Sequence, residues 1–155
     1  MERSLMEVWE KSGFSAGLLS VEEFDHFWPD IEKMMDLVPH TWPDLTKESI
    51  VNQVLEGKMQ VWGVGDTAIK MVLFTQVATF PARRVLQIFW GAGQGRIFEK
   101  AGDSVESVME YFARSQGCTR IDVIGREGWE RILAPRGFKR TSIILSREIV
   151  RSGMQ

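Results

Sequence analysis

The chain has 155 residues, with 19 Lys and Arg against 21 Asp and Glu and a formal charge of -2, a balance that gives no electrostatic reason to expect a nucleic-acid partner. One cysteine, Cys118, and two histidines, His26 and His40, exclude a disulfide framework within one chain and a cysteine-based zinc site, so no metal is expected. No apolar run approaches the ~20 residues that span a bilayer; the start, MERSLMEVWEKSG, carries glutamates and no long apolar stretch, and the chain reads as a soluble, cytoplasmic-type α/β protein with one core.

Leu5, Val8 and Trp9 have helical spacing and predict a short helix over 1–12. Residues 14–19 suit a short strand. Ser20 and Glu23 form a capping-box pattern, in which Ser20 caps and Glu23 reaches back. The apolar positions Phe24, Phe27, Trp28, Ile31, Met34, Met35 and Val38 recur at three or four residues and predict an amphipathic helix. Pro29 either kinks it or opens a second segment. After the proline-containing break at 39–44, Thr46 is a candidate N-cap for a helix carrying Ile50, Val51, Val54 and Leu55, with Gly57 closing it.

The period then changes. Residues 59–64 alternate polar and apolar, 68–79 are rich in Val, Phe, Thr and Met, and 84–90 form a third β-rich run. Short turns between them predict an antiparallel meander. Gly91-Ala92-Gly93-Gln94-Gly95-Arg96 reads as a glycine-rich loop. Asp103 and Glu106 form a second capping-box pattern, so the next helix, with Val105, Val108, Met109 and Phe112, is expected to begin near Asp103 and close at Gly117. Residues 118–124 read as a buried-type strand, 127–134 as a short helix, 138–149 as a final strand or two, and 151–155 as a frayed end. Strands followed by βαβ units predict an α/β (α+β) fold, with a mixed, mostly antiparallel central sheet and helices on both faces. Four or more of the six tryptophans are expected in the core.

That order, with Gly117-Cys118-Thr119-Arg120-Ile121-Asp122-Val123-Ile124-Gly125-Arg126-Glu127-Gly128-Trp129, then Arg131-Ile132-Leu133 and Arg136-Gly137-Phe138, resembles the acyl-CoA N-acyltransferase (GNAT) fold. In particular it resembles GNAT-like proteins of bacteriophage and proteobacterial genomes, which carry a GC…GR.GW…GF signature there. The resemblance covers about residues 18–149. It divides the chain into an N-terminal extension over 1–17, a GNAT-like domain over 18–150 and a tail over 151–155.

The resemblance implies acetyl-CoA as donor and a primary amine as acceptor, with pantetheine between the strands around 84–90 and 118–124. The pyrophosphate would sit at the glycine loop and the following helix N-terminus, where backbone N–H groups and the dipole favour an anion. The cofactor-binding candidates are therefore Phe89, Trp90, Gly91, Gly93, Gln94, Gly95, Arg96 and Arg126. The loop departs from the family pattern Gln/Arg-x-x-Gly-x-Gly/Ala, since Trp90 stands three after Gln87 and Glu99 three after Arg96, and from Gly91 to Gly102 it is long for a phosphate cradle. Acyl transfer to an amine also calls for a proton acceptor. The third middle strand offers only Gln87, and the single tyrosine, Tyr111, lies on the earlier helix rather than the last. His40, Asp122 and Glu127 are the catalytic candidates, with Glu48 behind them.

Two functions follow. One is an N-acetyltransferase acting on an unidentified primary amine. The other is a non-catalytic GNAT-like virion or host-interaction protein, with residues 1–12 as a docking arm for oligomers or a partner.

Overall fold

The computed structural model describes residues 15–37, 44–66, 68–93, 96–125 and 127–150. They fall into two compact units, one ending at Gly125 and one beginning at Arg126.

The first unit is built on a five-stranded sheet in the order β1-β2-β3-β4-β5. β1 (Ser15–Leu18) leads into helix α1 (Val21–Leu37) and then α2 (Lys47–Leu55). The capping box opens α1 as its sequence predicts: Ser20 N–H donates to Glu23 Oε1 at 3.0 Å and Glu23 N–H to Ser20 Oγ at 3.1 Å. The helix runs on through Pro29 as one element. Thr46 caps α2 by accepting from Ser49 N–H, and Ser49 reciprocates to the Thr46 N–H. Lys47 ties the two helices together with 3.2 Å and 3.0 Å ion pairs to Glu32 and Asp36, and its hydrogen bonds to Asp36 and Glu32 raise its pKa.

β2 (Gln60–Gly65), β3 (Ile69–Thr79) and β4 (Arg84–Gly93) form the expected antiparallel meander, and β1 joins it through β2. Helix α3 (Ile97–Ser115) then carries the chain to β5 (Cys118–Val123), which pairs with β4 in parallel. Gly117, at φ +74, makes the left-handed step between them, a conformation in which a side chain would be strained.

Each face of the sheet has its own cover. On one, Phe24, Phe27, Ile31 and Met35 of α1 and Ile50 and Val54 of α2 pack on Val61, Val72, Phe74, Phe89, Trp90 and Ala92. Each Val, Ile, Phe or Met among them contributes about 1.5–3 kcal/mol of burial before entropy is counted. On the other face lies α3, whose Phe112 ring meets Trp62 edge-on at 5.4 Å and whose Ser104 Oγ accepts from Ala16 N–H at 2.9 Å. Trp62 Nε1 donates to Thr75 Oγ1, which donates to Gln60 Oε1, both at 2.9 Å. Trp62 and Trp90 are core, whereas Trp28 and Trp129 are half-buried; Trp9 and Trp42 lie outside the described residues. No helix among the described residues is long and apolar enough to cross a membrane.

The second unit holds helix α4 (Glu127–Leu133) and a single 3-10 turn over Ala134–Arg136. Residues 138–150 form no strand, which corrects the expectation drawn from their β-branched composition. Ile143, Ile144, Leu145, Ile149 and Val150 are exposed. Propensity makes a strand only where a neighbouring backbone completes the ladder.

Candidate functional site

Of the site candidates, Phe89, Trp90, Gly91, Gly93 and Asp122 lie on β4 and β5, near where the two strands part. Their ladder runs from Arg84↔Cys118 to Ile88↔Val123, and Ile124 N–H adds one more bond to Ile88 O at 2.8 Å. Beyond that point β4 continues for five residues, paired among the described residues with β3 only, as far as Met71↔Gly93. The parting coincides with a bulge. Phe74 faces Trp90 and Thr75 faces Ile88, so β4 carries one residue more than β3, and that residue is Phe89. A bulge bends its strand and increases its twist, and this one falls where the β4–β5 pairing ends.

The glycines at 91 and 93 are strand residues rather than loop. They carry no side chain to extend the β-rich run that marked the rest of β4. Gly93 is small because β3 passes against it: a Cβ there would lie 2.7 Å from Met71 Cβ and 2.8 Å from both Lys70 O and Met71 Cα. Helix α3 begins at Ile97, not near Asp103. The predicted second capping box fails because Asp103 and Glu106 already lie inside the helix; the Ser104 hydroxyl between them accepts from β1. The strand-to-helix connection is therefore only residues 94–96, and the expectation of a long loop is withdrawn.

Arg96 stands at the start of α3 with φ 64, the one non-glycine residue of positive φ among those described. The left-handed region costs a side-chain-bearing residue about 1 kcal/mol. Arg96 has no side-chain capping bond, and the first turn of α3 carries Glu99, followed by Lys100. The β4 end thus delivers the chain directly into a helix N-terminus flanked by two cations and one anion.

Asp122 lies on the rung before the ladder ends, opposite Gln87. Arg120 grips it with Nε on Oδ1 at 2.8 Å and Nη2 on Oδ2 at 3.2 Å. Gln76 Nε2 donates to Gln87 Oε1 at 3.0 Å. Sequence reasoning named Asp122 and Gln87 separately; only the register shows them side by side. Glu127 opens α4 in the second unit. His40, Gln94, Gly95 and Arg126, and the proposed arm over 1–12, lie outside the described residues.

Other groups take no part here. His26 is on the α1 surface against Phe27, and Tyr111 is exposed on α3. Cys118 is buried, and that burial pushes its thiol pKa up against the opposing pull of Arg84. Arg84 donates from Nη1 to Gln116 O at the end of α3, where a cation complements the helix dipole. In the second unit an open depression of about 410 Å³ is lined by Glu130, Arg131, Ala134 and Arg140. Arg140 is already paired there with Glu130 at 2.6 Å.

No protein-family model and no curated relative matches the chain. Solved structures do. Glucosamine-6-phosphate N-acetyltransferase from Arabidopsis thaliana superimposes with a TM-score of 0.61 at 16% identity, over 90% of this chain and 100% of that one. A GNAT family acetyltransferase of Staphylococcus aureus gives 0.61 at 12% identity, over 88% and 98%. Ribosomal-protein-alanine N-acetyltransferase from Brucella melitensis gives 0.60 at 11% identity, over 89% and 98%. At such identities the likeness is one of fold: this chain has the GNAT fold, a mostly antiparallel mixed sheet flanked by helices.

Proposed function

We propose that the chain is an N-acyltransferase that moves an acetyl group from acetyl-CoA to a primary amine. The observation that carries this reading is the parting of β4 from β5 at the Phe89 bulge, with β4 then running within three residues into the N-terminus of α3. Such a strand–turn–helix junction suits a slender chain ending in phosphates, since the open strand edge offers amide groups and the helix end favours an anion. The named activities of the fold neighbours, N-acetyl transfer in two cases, support it.

The residues present fit the donor. The β4 edge from Phe89 to Gly93 and the facing end of β5 would hold the pantetheine arm. Gln94, Gly95 and the first turn of α3 would hold the pyrophosphate, with Arg96 and Lys100 offsetting Glu99. Bound acetyl-CoA supplies an activated thioester; the chain's part is to orient it, exclude water and receive the amine. Gln87 is neutral and accepts no proton at working pH. Asp122 beside it, one rung before the ladder ends, is the better candidate to hold an incoming ammonium and draw its proton off, directly or through water. His40 and Glu127 remain alternatives.

Thermal unfolding with 1 mM acetyl-CoA tests the reading. A dissociation constant near 10 µM would stabilise the fold by about 2.7 kcal/mol, a rise of roughly 5–10 °C for a chain of this size. No rise at that concentration would sink it.

A further inference from the structure

A polar line crosses the α1-covered face of the sheet. Gln76, Gln87 and Asp122 are successive register partners on β3, β4 and β5, so their side chains emerge on the same face. Phe74, two residues before Gln76 and part of the core against α1, fixes which face that is. Arg120, two before Asp122 on β5, joins the line.

The hydrogen-bond capacity of this row is only partly used. Gln87 Oε1 accepts from Gln76, but among the described residues nothing takes the amide protons of Gln87 Nε2. Asp122 gives one contact per oxygen to Arg120, which leaves a lone pair on each, and Arg120 keeps further N–H groups. None of the four is fully buried, and the Asp122 side chain is 31% exposed. The row therefore offers an anion, an amide donor pair and a spare guanidinium edge within two neighbouring strands. It ends one rung before β4 and β5 part.

We propose that this row is the acceptor subsite. It takes a primary ammonium that carries an oxygen acceptor one or two carbons away, as at the N-terminus of a peptide or on an amino sugar. The proposal rests on the acyltransferase reading for its purpose, but the subsite binds its ligand without the donor. Asp122 receives the ammonium by a charge-assisted bond, and Gln87 Nε2 donates to the neighbouring oxygen. An amine without that oxygen leaves the Gln87 donors unmet and binds less well.

The test is a pair of titrations of the full chain followed by NMR. L-alaninamide stands for the peptide terminus and D-glucosamine for the amino sugar; n-butylamine is the amine without the oxygen. One of the first two is expected to shift the Gln76 and Gln87 side-chain amides and the Asp122 backbone amide, with n-butylamine at least fivefold weaker. Asp122→Asn, which keeps size and removes charge, is expected to weaken binding at least tenfold, and Gln87→Leu is expected to abolish the preference over n-butylamine. Both variants are checked for a native spectrum, and Gln87→Met replaces the leucine variant if that one does not fold. Acetyl-CoA is titrated separately and read at residues 91–97. Amines that move the row without any response to acetyl-CoA support the subsite and overturn the acyltransferase reading. A response to acetyl-CoA with the row unmoved by both oxygen-bearing amines, or n-butylamine binding as tightly as they do, overturns the subsite.

Discussion

Replacing Thr75 with valine probes the rung on which the β4 bulge rests. Thr75 is fully buried at 0% exposure and Trp62 is 2% exposed. The Thr75 hydroxyl accepts from the indole N–H at 2.9 Å and donates to Gln60 Oε1 at 2.9 Å. Valine keeps the shape and removes the hydroxyl. The half-buried Gln60 can turn to water, but the indole N–H is left in the core with no acceptor, which costs about 1–3 kcal/mol. For a chain of this length that lowers the melting temperature by roughly 3–10 °C. Urea denaturation of Thr75→Val, Trp62→Phe and the double variant checks the cause. Once the indole N–H is gone, Thr75→Val is expected to cost at least 0.5 kcal/mol less, by the usual size of coupling between contacting residues. Equal losses with and without the indole, or a loss within about 0.5 kcal/mol in the natural background, would refute the reasoning.

Two further substitutions separate the scaffold from the binding junction. Gly93→Ala forces a Cβ into Lys70 O and Met71 Cα; because both are backbone atoms, the end rung of β3 and β4 must open, at about 1–3 kcal/mol, seen as a lower urea midpoint and faster amide exchange at Met71. Arg96→Gly relieves the left-handed strain, so stability is expected to hold or rise by up to about 1 kcal/mol, while calorimetry shows acetyl-CoA affinity falling about tenfold as one charge-assisted contact is lost; affinity unchanged would remove Arg96 from the phosphate site.

What could be read from the sequence followed from how each signal arises. The meander was legible because three β-rich runs are separated by short turns, the second of them rich in Val, Phe, Thr and Met, and α1 and α2 were legible because their caps are local. The β4–α3 junction was not, since Gly91 and Gly93 carry no side chain to show a period, and the Asp103–Glu106 pattern mimicked a helix start. Ser104 instead makes a long-range bond to Ala16, which no local pattern reveals. Gln87 and Asp122 were each visible as polar residues in apolar strands. Their adjacency depends on the parallel register, set by the length of α3 and by the shift between Arg84 and Val85. The run at 138–150 misled because composition was read without asking what would pair with it.

The order of assembly is built into the same sheet. β2, β3 and β4 are joined by short turns, so their pairing closes only small loops. β5 reaches β4 only after the chain has passed through all of α3, and Arg84 must find Cys118 across that span. Contacts between distant residues form late because a larger loop must close first, and strands held on one side open before the interior of a sheet. The β5 wall thus docks later than the meander and, as an edge strand, can come away before it, leaving the meander intact. A cleft whose one side detaches this way can admit and release a long ligand by a local excursion of β5, with the α1 core undisturbed.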